Sequence, residues 1–367
     1  MATITHPPIK RRKSMRSRTM IWSLVIIVVS AMVLPAASYL LTGLGVAQAQ
    51  VTDQNTNQRS NYWRAVREGN SGYSAVQGTD STMRVINEET STLFNIGGQN
   101  WRQQRNGQLA NYGGWLLIIS LFTLTMLYLY RGRVDVNKPL SGATVPRWSL
   151  IERTIHWYTA ISFVILAITG LSTIFGRVVL IPLLGAKGFA WWASVSMTLH
   201  NYIGPFFSIG VVLMLIFWIR HNIPRAGDLK WFTEGAGLKY DVHSSADKAN
   251  PGEKIWFWIV VLVGGVAVCV SGFVLDFPIW GQTRADMQLA HLVHGAGALI
   301  WIAVFFGHVY LGTIGTEGAL EGMTTGRVSS EYAKQHHDIW YDKVKHLEEV
   351  TPRTVSAGAV PSSSSSG

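Results

Sequence analysis

Apolar residues in this chain are bunched into long runs separated by polar, often basic segments. Six stretches stand out: Ile21–Val46, Gly113–Tyr130, Ile155–Phe175, His200–Ile219, Ile255–Phe277 and Leu289–Ile314. Each is near or above the roughly 18–20 residues needed to cross a bilayer as a helix. The pattern predicts an all-α membrane protein with five spanning helices and a sixth stretch that is either a signal peptide or a retained anchor. That first stretch follows a basic leader (Lys10, Arg11, Arg12, Lys13, Arg16, Arg18) and ends in Ala47-Gln48-Ala49. This is the order of a secretory signal with a small-residue cleavage site, although the apolar run is longer than the usual signal core.

The implied organisation is a signal peptide or signal anchor at 1–49, a periplasmic extension at 50–112 and an extra transmembrane helix at 113–130. A four-helix domain at 149–314, a cytoplasmic C-terminal segment at 315–350 and a Ser/Gly-rich disordered tail at 351–367 complete it. The extension is polar with scattered aromatics and lacks the periodicity of an independent core. The segment from Ser330 to Glu349 has helical composition. Tryptophans cluster near span ends (Trp115, Trp148, Trp191, Trp192, Trp218, Trp231, Trp256, Trp258, Trp280), where aromatic belts form.

Charge then orients the bundle. The chain carries a net charge of +10, concentrated in alternate connections. Arg131, Arg133, Lys138, Arg147 and Arg153 follow the first span after the extension. Arg220, Arg225, Lys230, Lys239, Lys248 and Lys254 follow the third, and Arg327, Lys334, Lys343, Lys345 and Arg353 occupy the tail. The intervening connections hold little more than Arg177, Lys187 and Arg284. The positive-inside rule makes the basic loops and the C-terminus cytoplasmic and the extension periplasmic, in a bacterial inner membrane. This distribution argues against nucleic acid as the partner. A single cysteine, Cys269, lies mid-span and reads as a buried structural thiol. No disulfide, iron–sulfur cluster or thioether haem attachment can be built from it.

Four histidines sit inside or at the rims of four spans: His156, His200, His294 and His308. Ionisable groups are expensive in hydrocarbon, so such residues face the bundle interior and mark function by default. The orientation pairs them by depth, His156 with His308 on the cytoplasmic side and His200 with His294 on the outer side. His294 and His308 are 14 residues apart. At about 100° and 1.5 Å per residue this returns to within roughly 40° of one face after a rise of about 21 Å. One helix can thus offer an axial imidazole to each of two haems. His291 is rotated by about 100° from the His308 face and ranks below His294. Two imidazoles fill both axial positions of haem iron, which suits electron transfer and leaves no site for bond chemistry. Gly204, Gly295, Gly297, Gly307, Gly170 and Gly272 offer room near these positions. The other reading is a transporter or passive anchor with structural histidines. His221, His243, His336, His337 and His346 read as solvated surface residues, with His336-His337 placed to touch a partner, and His6 belongs to the leader. Asp276 and Asp286 read as solvated residues of the outer loop.

Several motifs resemble the gamma subunit of membrane-bound respiratory formate dehydrogenase, in a long form with an N-terminal extension. They are Glu152-Arg153-Thr154-Ile155-His156-Trp157, Leu199-His200-Asn201-Tyr202-Ile203-Gly204, Arg220-His221-Asn222-Ile223-Pro224 and Asn250-Pro251-Gly252-Glu253-Lys254. His294-Gly295-Ala296-Gly297 with His308-Val309-Tyr310, and a tail with Gly322-Met323, Gly326-Arg327-Val328-Ser329 and His336-His337, complete the resemblance over roughly Ser149 to Tyr341. The resemblance implies two haem b groups, ligated by His156 with His308 and by His200 with His294, and a quinone beside His308 with Asn250 and Gly252 lining its site. It implies a catalytic molybdenum or tungsten alpha subunit, an iron–sulfur beta subunit and the membrane quinone pool as partners, and it is compatible with a higher oligomer of the complex. The chain is then the electron-transferring, quinone-reducing subunit and carries no formate-oxidising residue. Anchors of nickel–iron hydrogenases share the general plan and stay open as an alternative, and Asn250-Pro251-Gly252 also reads as a plain turn before a span.

Overall fold

The computed structural model describes residues 96–234 and 244–350, together with Ile26 and Ser30, which are helical. The expected leader or anchor at 1–49, the extension up to residue 95, His243 and the tail at 351–367 lie outside the described residues.

Helix α1 runs from Gly97 to Arg131, with a π-helical stretch over Gln104–Leu109. It therefore begins well before the apolar run at 113, and the end of the expected periplasmic extension is helical. Residues 97–112 are rich in Gln and Arg, good helix formers that hydropathy alone cannot assign.

The next helical element, Leu150–Trp218, is two helices joined at Gly185, whose φ of 68° and ψ of 173° interrupt it. That conformation is open essentially to glycine alone. We call residues 150–184 α2 and residues 186–218 α3. Ser149 starts α2 through a capping box: its hydroxyl accepts from Glu152 N, and Glu152 Oε2 accepts from Ser149 N. The two helices run antiparallel. Ser196 Oγ donates to the Thr169 carbonyl at 3.2 Å, and Tyr158 donates to the Phe206 carbonyl at 2.7 Å. A loop expected between residues 175 and 200 is thus replaced by a one-residue reversal. The apolar character of 178–184 and 189–193 lets both helices continue, each to roughly 50 Å at 1.5 Å per residue.

A short helix α4 (Asp228–Thr233) precedes α5, which spans Pro251–Asp276. Helix α6 spans Arg284–Gly315 and ends in a π-helical turn. Among the described residues, four helical elements are long and apolar enough to cross a membrane: α1, the α2–α3 element, α5 and α6. Residues such as Ile161, Phe206, Val270 and Ile300 leave large apolar side chains exposed on them, as lipid-facing helices do.

Beyond α6 come α7 (Ala319–Thr324), β2 (Arg327–Ser329), α8 (Ser330–His336), α9 (Asp338–Val344) and β3 (Glu349–Val350). Strand β1 (Ala143–Pro146) lies between β2 and β3 in an antiparallel sheet, with Val145 opposite Val328 and Ala143 opposite Val350. Val145, Val328, Tyr332, Ala333, Trp340 and Tyr341 form the core of this polar cap. The segment from 330 to 349 is helical as its composition predicts, whereas strands of two to four residues are too short to register as alternation.

The chain divides into two compact units. One comprises, of the described residues, those up to Ser120 with Phe163–Ile203 and Val274–Ile302, and the other those in Leu121–Ser162, in Gly204–Phe273 and from Ala303 to Val350. The cap belongs to the second.

Candidate functional site

Each unit contains one of the histidine pairs. In the first, His200 of α3 and His294 of α6 have ring centroids 6.0 Å apart with ring planes at 77°. In the second, His156 of α2 and His308 of α6 are also 6.0 Å apart, at 48°. His291 joins neither pair: its Nε2 accepts from Arg105 Nε at 3.3 Å. Among the described residues no group of three or more His, Cys, Asp or Glu side chains is arranged for a metal ion, so the imidazole pairs are the donor sets at issue.

Thr169 fixes the state of His200. Its hydroxyl donates to the Ile165 carbonyl at 2.8 Å, and the same oxygen lies 2.8 Å from His200 Nδ1. With its own proton committed, the oxygen must accept from Nδ1–H. The proton is therefore on Nδ1, and Nε2 keeps its lone pair for a metal, the arrangement that orients a ligating histidine. Gly170 makes this close approach possible, since a Cβ there would stand 3.3 Å from His200 Cε1.

Around His308 the contacts are aromatic. Trp256 of α5 stacks on it at 5.1 Å and 27°, and Trp157 meets His156 edge-on at 5.2 Å. His156 Nδ1 is buried with no hydrogen-bond partner. Trp256 had been expected in an interfacial belt, and no sequence signal separates it from the tryptophans that are. Trp218 also departs from the belt, being only 7% exposed and packed on Trp148. Trp258 donates Nε1–H to the Asn222 carbonyl at 2.8 Å, while Trp115, Trp191 and Trp280 are exposed as expected.

Asn250 and Gly252 sit at the start of α5. Asn250 Oδ1 accepts from Glu253 N at 2.9 Å and Glu253 Oε2 accepts from Asn250 N, so the side chain caps the helix. A Cβ on Gly252 would stand 3.2 Å from the Trp231 ring. Neither residue hydrogen-bonds to His308 among the described residues; α5 links them to it through Trp256, one turn beyond Gly252.

The start of α2 carries a polar cluster. Glu152, 5% exposed, has Lys248 Nζ 3.7 Å and His221 Nε2 3.9 Å from its Oε1, and Lys248 lies 4.1 Å over the Trp148 ring. Burial lowers the Lys248 pKa, and the Glu152 carboxylate opposes that shift. The expectation of solvated histidines fails for His221 and His337, and also for His336, which is half-buried against the Tyr332 ring at 4.9 Å. His221 is partly buried in this cluster. His337 is fully buried, with Nδ1 2.8 Å from the Asp247 carbonyl. Cap packing causes the second case: α8 and α9 meet at His337, and Tyr332 and Trp340 cover the ring.

The family model described as prokaryotic cytochrome b561 matches residues 147–326. The nitrate-inducible formate dehydrogenase cytochrome b556 subunit of Escherichia coli is 30% identical over 219 residues, covering 56% of this chain and 93% of that protein. A second Escherichia coli formate dehydrogenase cytochrome b556 subunit is 26% identical, with 56% of this chain and 96% of that one covered. The corresponding Haemophilus influenzae subunit is 29% identical, with coverages of 54% and 83%. The chain belongs to the formate dehydrogenase cytochrome b subunit family.

A cytochrome b implies haem b, and the residues of this family member fit it. Two imidazoles ligating one iron from opposite sides stand roughly 6 Å apart, given metal–nitrogen bonds of about 2 Å on each side. Both pairs have that spacing. A Cβ built on Gly204 or Gly307 meets nothing within 4 Å, so these glycines leave open space, whereas Gly295 is filled by Leu109. The matched family region ends at Gly326, which at φ 83° brings its backbone close to Trp148; a Cβ there would stand 2.8 Å from the Trp148 carbonyl.

Proposed function

We propose that this cytochrome b anchors a respiratory formate dehydrogenase in the bacterial inner membrane and passes its electrons through two b haems to quinone. The observation that carries this reading is the repeated pairing of His200 with His294 and His156 with His308 at 6.0 Å. Haem held by His200 with His294 and by His156 with His308 would supply reversible one-electron chemistry.

The protein's own residues then do the following. Thr169 holds His200 as the Nδ1–H tautomer, and Trp256 holds the plane of His308. His200 and His294 would hold the haem that receives electrons from an iron–sulfur subunit on the outer side, and His156 and His308 the haem from which they leave. Quinone is reduced near His308, with Gly252 and Trp256 forming its wall and Asn250 holding the start of α5. Formate oxidation belongs to a partner subunit with molybdenum or tungsten. The extension faces the periplasm and the polar cap the cytoplasm, as the basic connections require.

The experiment is a reduced-minus-oxidised spectrum with haem-to-protein ratio for the wild type, His294→Ala and His156→Ala in membranes. Two low-spin b haems, with each variant losing one, support the assignment. A folded chain without haem returns the histidines to a structural role. Co-purification with a nickel–iron rather than a molybdenum subunit would favour a hydrogenase anchor.

A further inference from the structure

The extra helix α1 carries a polar cluster that the electron path does not use. Trp101 and Arg105 of α1 meet His291 of α6. Arg105 Nε donates to His291 Nε2, the Trp101 and His291 ring centroids are 5.4 Å apart, and the Arg105 guanidinium lies 5.9 Å from the Trp101 ring. Because His291 Nε2 accepts, its proton is on Nδ1. That Nδ1–H and the Trp101 Nε1–H are both buried with no partner. Arg105 also donates to Asn106 Oδ1, and Arg177 adds a second positive charge that acts on Arg105. Among the described residues neither arginine forms an ion pair with a carboxylate. Among the described residues, two orphaned N–H donors and a guanidinium share one place with no anion to satisfy them, and unsatisfied buried donors are costly.

Directly beyond, α1 and α6 leave a cavity of about 350 Å³, lined by Gln108, Leu109, Tyr112 and Leu116 on one side and Ala296 and Leu299 on the other. The two helices run side by side in the same direction, Leu109 against Gly295 and Leu299 against Gly113. The donors therefore lie toward the starts of both helices, and the mostly apolar cavity lies further along them, inside the apolar runs. An anion-seeking head above an apolar slot is the shape of an amphiphile.

We propose that Trp101, Arg105 and His291 bind the phosphate of an anionic phospholipid whose acyl chain lies in the α1–α6 cavity. The phosphate oxygens accept from Trp101 Nε1, His291 Nδ1 and the guanidinium, which forms charge-assisted bonds to phosphate. The extension's helix is thereby sealed to α6 by a lipid. The inference goes beyond the electron-transfer reading and does not depend on it.

The test measures lipid retention by native mass spectrometry and thermal stability of the purified full chain. Dioleoyl phosphatidylglycerol is compared with dioleoyl phosphatidylcholine and with inorganic phosphate. Phosphatidylglycerol adducts and an upward shift in melting temperature are expected with that lipid only. Arg105→Gln should weaken the preference by about tenfold or more. Trp101→Phe, which keeps the ring and removes one donor, should weaken it several-fold without unfolding the chain. Equal retention of both lipids, or stabilisation by inorganic phosphate alone, overturns the proposal. So does a Trp101→Phe variant with unchanged lipid binding and an altered haem spectrum, because the donors would then serve a haem carboxylate.

Discussion

Replacing Thr169 by valine keeps the side-chain volume nearly constant and deletes one oxygen. That oxygen donates to the Ile165 carbonyl and accepts from His200 Nδ1–H at 2.8 Å. The Ile165 carbonyl still has its helical backbone partner, so the loss falls on the imidazole, whose Nδ1–H keeps only the poorer Leu166 carbonyl contact. A buried donor without a good partner costs about 1–3 kcal/mol. Because the ring can then rotate or adopt the other tautomer, the cost appears as weaker iron ligation, and about 1.4 kcal/mol is tenfold in affinity. The expected outcome is haem retention at the His200–His294 pair weakened by about 10–100-fold, in line with other outer-shell partners of ligating histidines. Competition with a haem-scavenging globin, followed by the reduced-minus-oxidised spectrum, measures it. Thr169→Ser, which restores the hydroxyl, should return most of the loss, and the His156–His308 haem should be unaffected. If the valine and serine variants hold haem equally well, Thr169 does not set the state of His200 and the tautomer argument fails.

Three further outcomes follow from the geometry. Gly210→Val should destabilise the chain by about 1–3 kcal/mol by overpacking, because even a Cβ there would stand 2.5 Å from Thr159 Oγ1, whereas Gly107→Ala meets nothing within 4 Å and should not lower the melting temperature. Gly185→Ala should cost of order 1–3 kcal/mol at the φ 68°, ψ 173° reversal, read as a fall in melting temperature that Gly107→Ala, where a Cβ meets nothing within 4 Å, does not reproduce. Burial first, and the Arg147 charge second, hold the His337 pKa well below 6.5, against the opposing Asp247 carbonyl bond. The unfolded chain therefore binds a proton that the folded one refuses, so stability should fall as pH drops below about 6.5, by at most about 1.4 kcal/mol per pH unit; an identical slope in His337→Leu would remove that assignment.

Much of the bundle was legible because its signals are long. Apolar runs of membrane length define spans without any contact being known, and the alternation of basic connections carries the proposed orientation. The four histidines were legible for the same reason, since charge-capable residues are rare in such runs and depth alone suggests how they pair. What the sequence hid were features that depend on single residues or on contacts across the chain. The reversal at Gly185 looks like any glycine until its φ is known. Trp256 looks like a belt tryptophan until α5 is packed against His308. His337 looks solvated because hydropathy cannot register a cap whose strands are two to four residues long. Asn250 fits both a wall of the quinone site and a turn residue in the sequence; its Oδ1 caps α5, which shows the turn role and bears on no quinone contact.

The two histidine pairs are supported by different means, and this bears on how each tolerates change. His200 is held from within its own unit by Thr169 and Gly170. His156 and His308 depend on elements anchored in the polar cap. Arg147 donates to the Tyr332 hydroxyl at 2.9 Å and to Glu253 Oε1 at 3.3 Å, tying β1 to α8 and to the capping box of α5. Arg153 and Trp157 of α2 donate to the carbonyls of Thr324 and Met323 at 2.7 and 2.9 Å. The first turns of α2 and α5 are thus fixed by the cap, and those helices carry His156 and Trp256 toward His308. Loosening the cap, for instance by Arg147→Met, leaves the buried Tyr332 hydroxyl and the exposed Glu253 carboxylate without their cation. It should broaden or shift the spectrum of the haem at His156–His308 while that at His200–His294 keeps its form. A shift confined to the His200–His294 haem would contradict this division, because no cap residue reaches that pair through the contacts described.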